Sequence, residues 1–151
     1  MLLDTIMLGE INYEEEEVIT FAQGIPGFEK LQRYLVIKSS EEDPVAYLQS
    51  IDESRMHFVI TNPFYIHAEY EFHIDTADQI ELEIKSQSDV EVWSILTTHE
   101  HIQETTINLL APIIINKNSK QAKQIILHST EYRTKHRLLD LMVAASQNEG
   151  E

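Results

Sequence analysis

Apolar and polar residues alternate in short runs along most of this chain, the period-two pattern of strands with one face buried. Residues 5–11 alternate only roughly, with Ile6, Leu8 and Met7 competing for the inner face. Residues 18–21 form a compact strand behind the charged run from Glu14 to Glu17, and residues 34–37 (Tyr-Leu-Val-Ile) are rich in β-formers. Residues 45–51 and 57–61 read as a hairpin with Asp52-Glu53-Ser54-Arg55 as its polar connection. Asn62-Pro63 ends the second of these, because proline constrains the residue before it and has no N–H to give a ladder. Residues 90–96 are a further strand. Residues 107–115 are a second apolar stretch, and Pro112 within it predicts an edge position or a bulge. Asn116-Lys117-Asn118-Ser119 is a turn, with residues 124–128 as the returning strand.

Helical signals are few. Thr76 followed three residues later by Gln79 has capping-box form, with acids in the first turn. Residues 80–84 alternate again, so only a short helix is predicted there. Residues 138–145 have helix-forming content, with Leu138, Leu139, Met142 and Val143 on one side, and residues 147–151 are expected to form a loose tail. Gly24-Ile25-Pro26-Gly27 joins two strands through a turn with a fixed proline φ and at least one permissive glycine. The pattern predicts a mostly-β fold: a small closed β-barrel or roll of short antiparallel strands with one or two short helices, as a single domain over residues 1–146.

Composition adds limits. Of 151 residues, 42% are hydrophobic and 25% charged, which suits one packed core and excludes a disordered chain. No apolar run approaches the ~18 residues of a membrane-spanning helix. The first residues lack the basic segment of a secretory signal, so neither secretion nor a membrane association is expected. With no cysteine, disulfide scaffolds and thiolate metal sites are excluded.

Charge changes the picture most. Twenty-six acidic against eleven basic side chains leave a net charge of -15. Residues 117–137 hold six of the basic residues and only one acid, Glu131, so that stretch is +5 and the remainder -20. One basic edge on an otherwise acidic molecule is expected. Such a surface repels nucleic-acid backbones and attracts cationic proteins.

Catalytic constellations are missing from the pattern. No glycine-rich phosphate loop and no G-x-S-x-G elbow is present, and paired acids such as Glu81 and Glu83 carry little information in so acidic a chain. His99 and His101 would point the same way on a strand, but two imidazoles do not make a zinc site. Neither an enzyme nor a cofactor or metal protein is expected. Two rigid loops remain as chemistry of a different kind. Gly24-Ile25-Pro26-Gly27-Phe28-Glu29 and Thr61-Asn62-Pro63-Phe64-Tyr65 combine proline with aromatics, which suits either a binding surface or a plug for the end of a barrel.

Taken in order, Phe21-x-x-Gly24-Ile25-Pro26-Gly27-Phe28-Glu29, Leu48-Gln49-Ser50, Phe58 with Asn62-Pro63-Phe64, Tyr70, Val90-x-Val92 through Thr97 and Thr106-x-Asn108-Leu109-x-Ala111-Pro112-Ile113 resemble the flagellar assembly factor FliW family. Gln124 with Leu127 and Tyr132 with His136 complete the resemblance, which runs from about residue 5 to residue 138. The resemblance implies a β-barrel-like fold without enzymatic activity, acting as a bacterial cytoplasmic regulator of flagellar assembly. It also implies two partners. One is flagellin. The other is CsrA, the basic RNA-binding regulator that represses flagellin translation and that the factor would antagonise allosterically once flagellin leaves it. Contact residues are expected in Asn62, Pro63, Phe64 and Tyr65 with Glu69, Tyr70 and Glu71, since aromatics beside acids suit a basic helical partner. The competing reading of Phe64 and Tyr70 is that they are core. The competing reading of the whole chain is a small-ligand-binding β-barrel with an open cavity.

Overall fold

The period-two alternation resolves into apolar side chains on both faces of one sheet that closes on itself. The computed structural model describes residues 1–128 and 130–149, with residues 148 and 149 as backbone only. After a hairpin of β1 (Leu2–Thr5) and β2 (Gly9–Asn12) come β3 (Ile19–Phe21), β4 (Arg33–Ile37), β5 (Val45–Ser50) and β6 (His57–Thr61). Two helical segments follow, α1 (Pro63–Ile66) and α2 (Thr76–Glu81). The chain continues as β7 (Val90–Thr97), β8 (Thr106–Ile107), β9 (Ile113–Asn116), β10 (Gln121–Gln124), β11 (His136–Arg137) and α3 (Leu138–Glu149). Strands β7, β6, β5, β4, β3, β10 and β9 neighbour one another in that order, and β9 pairs back onto β7, closing the barrel. The β10–β3 pair is parallel and the others are antiparallel.

Alternation along each strand sorts the side chains. Tyr34 and Val36 of β4, Ala46 and Leu48 of β5, Phe58 and Ile60 of β6, Trp93 and Ile95 of β7, and Ile113 and Ile115 of β9 point into the barrel. Phe21, Tyr34, Leu48, Ile60 and Ile113 are wholly buried there. The lumen is therefore a packed core rather than a ligand cavity, which removes the main support for a small-ligand carrier. On the outside, Leu35 and Ile37 are covered by Leu3 and Ile11 of the hairpin. A second outer core lies where Val59, Val90, Val92, Leu96 and Ile114 meet residues 70–84, Leu109, Ile125 and Leu127.

Several expectations are corrected. The strand expected over residues 5–11 is instead split by a turn, in which Thr5 Oγ1 accepts the Leu8 N–H at 3.0 Å and donates to the Gly9 carbonyl at 2.7 Å. The helix at Thr76 begins without the expected capping box: Asp75 precedes it, and the Gln79 amide reaches back to the Ile74 carbonyl at 2.6 Å. Lys123 holds α2 onto the barrel, with Nζ 2.7 Å from Asp78 and 2.8 Å from Glu81. That clamp raises the lysine pKa through its two carboxylate hydrogen bonds, against the opposing pull of burial. It also withdraws Lys123 from the expected basic edge, and β10 and β11 pair with different strands. Pro112 stands before β9 rather than on a sheet edge, since β9 is paired on both sides. The returning strand is Gln121–Gln124, ahead of the expected residues 124–128. Helix α3 runs to Glu149, into the segment expected to be a loose tail, while residues 150 and 151 lie outside the described residues.

The turn after β3 shows why its sequence is constrained. Gly24 has φ +68°, and a Cβ there would lie 2.5 Å from the Cα of Glu29, a backbone atom that cannot move aside alone. Glu29 folds back to accept the Gly27 N–H at 2.9 Å, and backbone donation from Gly27 and from its own N–H lowers its pKa. Ile25 meanwhile plugs that end of the barrel core. Gly24→Ala is expected to cost more than about 2 kcal/mol, combining left-handed strain with the clash. Equilibrium unfolding in urea reads the loss, and a stability unchanged from the parent would contradict this account of the turn.

Candidate partner-binding surface

Residues 62–71 form a short, firmly held protrusion at one end of the barrel. Asn62 leaves β6 in extended conformation, and its Oδ1 accepts the Phe64 N–H at 2.9 Å, capping α1. Pro63 takes the first helical position, where its missing N–H is harmless. The expected loop is thus a single helical turn. It turns Phe64 and Tyr65 outward, with 39% and 76% of their surfaces exposed. Pro63 is buried, and Glu69 and Glu71 are exposed.

Tyr70 is the correction in this group. It is 2% exposed, and its hydroxyl donates to the Leu109 carbonyl at 2.7 Å. Its ring sits 5.7 Å from Phe64, 5.3 Å from Phe72 and 4.8 Å from Tyr132. Burial raises the phenol pKa well above its ordinary value. A side chain so enclosed cannot meet a partner directly: it is the post on which the protrusion stands.

The motif residues further along the chain explain that post. Asn108 Oδ1 accepts the N–H of Leu110 at 3.1 Å and of Ala111 at 2.9 Å, fixing a turn. That turn buries Leu109 and aims its carbonyl at Tyr70, while the Pro112 carbonyl accepts the Ile125 N–H at 3.0 Å. The Gly24–Glu29 block does not join this surface. It links β3 to β4, at the barrel end opposite the one where β6 hands over to α1. There Phe28 packs edge-on against Phe58 with ring centroids 5.5 Å apart, and Pro26, Gly27 and Glu29 are exposed. The two blocks are separate.

Sequence reasoning missed other residues here. Phe64 is shared by two concavities on either side of β7. One, of about 620 Å³, is lined by Phe72, Ile74, Ile84, Val90 and Val92 among others. The second, of about 400 Å³, is lined by Lys38, Tyr65, Glu91, Trp93 and Lys117 among others. Lys38 lies over the Trp93 ring at 5.4 Å from its centroid. Only the half-polar Val-x-Val run in residues 90–92 hinted at it, and alternation alone does not say which strand edge is bare. His99 and His101 fall in the loop beyond β7 and are exposed. No cluster of three or more metal-ligating side chains occurs among the described residues.

Behind the protrusion, His136 accepts the Arg133 backbone N–H at Nε2 (2.8 Å), a bond only the neutral imidazole makes. Burial lowers its pKa, reinforced by the positive charge of Arg133 and by His67. The unfolded state therefore binds this proton more readily than the folded one. Its stabilising contribution is complete above the unfolded value of about 6.5 and is lost as pH falls through the lower folded value.

Similar proteins were found by three kinds of comparison. The family model described as FliW protein matches residues 2–138. A flagellar assembly factor FliW of Bacillus subtilis (strain 168) is 40% identical over 136 residues, covering 90% of this chain and 95% of that one. One from Thermosipho africanus is 43% identical over 132 residues, covering 87% and 91%. Among solved structures, a crystal structure of the flagellar assembly factor FliW superposes with a TM-score of 0.86 at 36% identity. It covers 91% of this chain and 96% of that one.

Two outcomes follow from this geometry. Tyr70→Phe leaves the Leu109 carbonyl buried without its donor and is expected to cost roughly 1–2 kcal/mol in urea unfolding, with Tyr65→Ala near neutral as the exposed control. The melting temperature should fall on acidification below about pH 6.5, and His136→Asn should flatten that fall. An identical pH profile for the variant would remove His136 as its source.

Proposed function

This chain belongs to the FliW family of flagellar assembly factors, and from that premise we propose that it works in the bacterial cytoplasm as a non-enzymatic partner switch. In this reading it binds flagellin. When flagellin is exported, the freed factor binds the translational regulator CsrA and antagonises it allosterically, relieving repression of flagellin synthesis.

The observation that carries the reading is family membership over nearly the whole chain, including both rigid motif blocks. The surface supports it physically. Phe64 and Tyr65 are exposed aromatics with Glu69 and Glu71 nearby, on a molecule of net charge -15. An aromatic anchor gives specificity, and the acidic field speeds encounter with a basic RNA-binding protein and disfavours RNA beside it. At physiological salt the Debye length is about 8 Å, so only acids near the interface affect the bound state. No helix of the described residues is long and apolar enough to cross a membrane.

Calorimetry with purified flagellin and with the CsrA-type regulator of the same organism, separately and then in competition, tests the switch. Binding to both is expected, with one displacing the other. Tyr65→Ala should weaken at least one of them about tenfold or more while leaving the melting temperature in place. The regulator's association rate should fall as salt rises. Absence of binding to both proteins would end this reading, and a salt-independent rate would end its electrostatic half.

A further inference from the structure

The hydrogen-bond register of β7 leaves part of one edge bare. Residues along an antiparallel strand direct their backbone groups alternately to either side. Lys117 donates its N–H to the Asp89 carbonyl at 2.8 Å, and Asn108 donates to Ile95 at 2.9 Å. With Val90 opposite Asn116 and Leu96 opposite Ile107, these bonds assign Glu91, Trp93 and Ile95 to the edge shared with β9 and β8. Even-numbered residues point their backbone the other way, towards β6. Ser94 and Leu96 meet Thr61 and Val59 there.

Val92 meets no such partner. One further step of the register sets it opposite Pro63, which has no N–H and whose carbonyl accepts from His67 at 2.9 Å inside α1. The N–H and C=O of Val92 and the C=O of Val90 have no hydrogen-bond partner among the described residues. The Val90 N–H is taken by Gln87. Asn62-Pro63 thus ends one ladder and exposes the next two residues of its neighbour.

The two concavities meet along this bare edge. Val90 and Val92 turn their side chains to the apolar one, against Phe72 and Ile74. Trp93, whose side chain points into the barrel, borders the other, where Lys38 and Lys117 also lie. Neither lysine makes an ion pair among the described residues. Acids in that concavity are already engaged: Glu91 accepts from Trp93 Nε1, and Asp43 accepts from Ser39 at 2.6 Å and from the Val45 N–H at 3.0 Å. On a molecule of net charge -15, Lys38 and Lys117 set two positive charges beside this groove, matched by the carboxylates of Asp43 and Glu91.

We propose that the Val90–Val92 edge of β7 takes up an extended segment of another protein as an added strand, with aliphatic residues alternating with acidic ones. Backbone bonds to Val92 supply the grip, and the two-residue period sends side chains in turn to the apolar groove and to Lys38 and Lys117. The inference deepens the partner-binding role by naming how a partner is held, and it rests on that reading only in taking the partner to be a protein.

The probe is the capped heptapeptide acetyl-Ser-Val-Glu-Val-Glu-Val-Ser-amide, titrated into the 15N-labelled chain. Saturable shifts of the Val90 and Val92 amides are expected. Methylating the peptide's valine nitrogens, or its glutamate nitrogens, strips donors from opposite edges of the strand. One of these peptides should bind at least about tenfold more weakly and the other as the parent does. A peptide with lysine in place of glutamate should bind less well, and Lys38→Glu with Lys117→Glu should reverse that preference. Absence of a saturable shift at Val92, or equal binding by both methylated peptides, would overturn the proposal. Neither flagellin nor the regulator enters this experiment, so its failure and theirs are read separately.

Discussion

The structure depends on how one strand, β7, divides its hydrogen bonds. Its first half closes the barrel through β9, and its last residues hold β8 on the same edge. Its opposite edge serves β6, but only over residues 94–96. Closure removes the exposed edges that make small β proteins prone to stick together, so the barrel has little spare backbone to offer. One bare stretch comes from Pro63. A residue with a free N–H could have extended β6 along β7, whereas proline starts a helical turn and leaves the neighbouring strand short of a partner.

Packing turns that local break into a defined surface. Tyr70, anchored on the Leu109 carbonyl, fixes the chain after α1, and Asn108 fixes the turn that carries this carbonyl. The backbone that carries Phe64 and Tyr65 is thereby held by a rigid base, so less of it has to be ordered on binding. The same base builds the groove walls from Phe72 and Ile74. A largely acidic molecule presents here aromatics, acids and two lysines close together, a mixture suited to a protein partner rather than to nucleic acid.

Much of the barrel was legible in the sequence because burial on alternate positions leaves a direct trace, as at Tyr34 to Ile37 and Val90 to Leu96. The hairpin at residues 2–12 was not, since its turn is held by the Thr5 side chain rather than by a turn dipeptide. The capping box at Thr76 and Gln79 had the right spelling, yet Gln79 found a better acceptor in Ile74. At the candidate site, the rigidity of Asn62-Pro63 was readable, whereas the pattern left open whether Phe64 faced outward or lay in the core. The burial of Tyr70 was not readable, because its acceptor lies 39 positions away along the chain. The bare edge at Val92 needs the register of β7 against two partners distant in sequence, which no local pattern carries.

The central claim is that the region where α1 turns away from β7 is the surface on which partners dock. Mapping amide chemical-shift changes in the 15N-labelled chain on adding flagellin tests this most directly. The account predicts that the changes cluster on Phe64, Tyr65, Val90 and Val92. Changes confined to the hairpin of residues 2–12, or to the Gly24–Glu29 turn at the other end of the barrel, would contradict it.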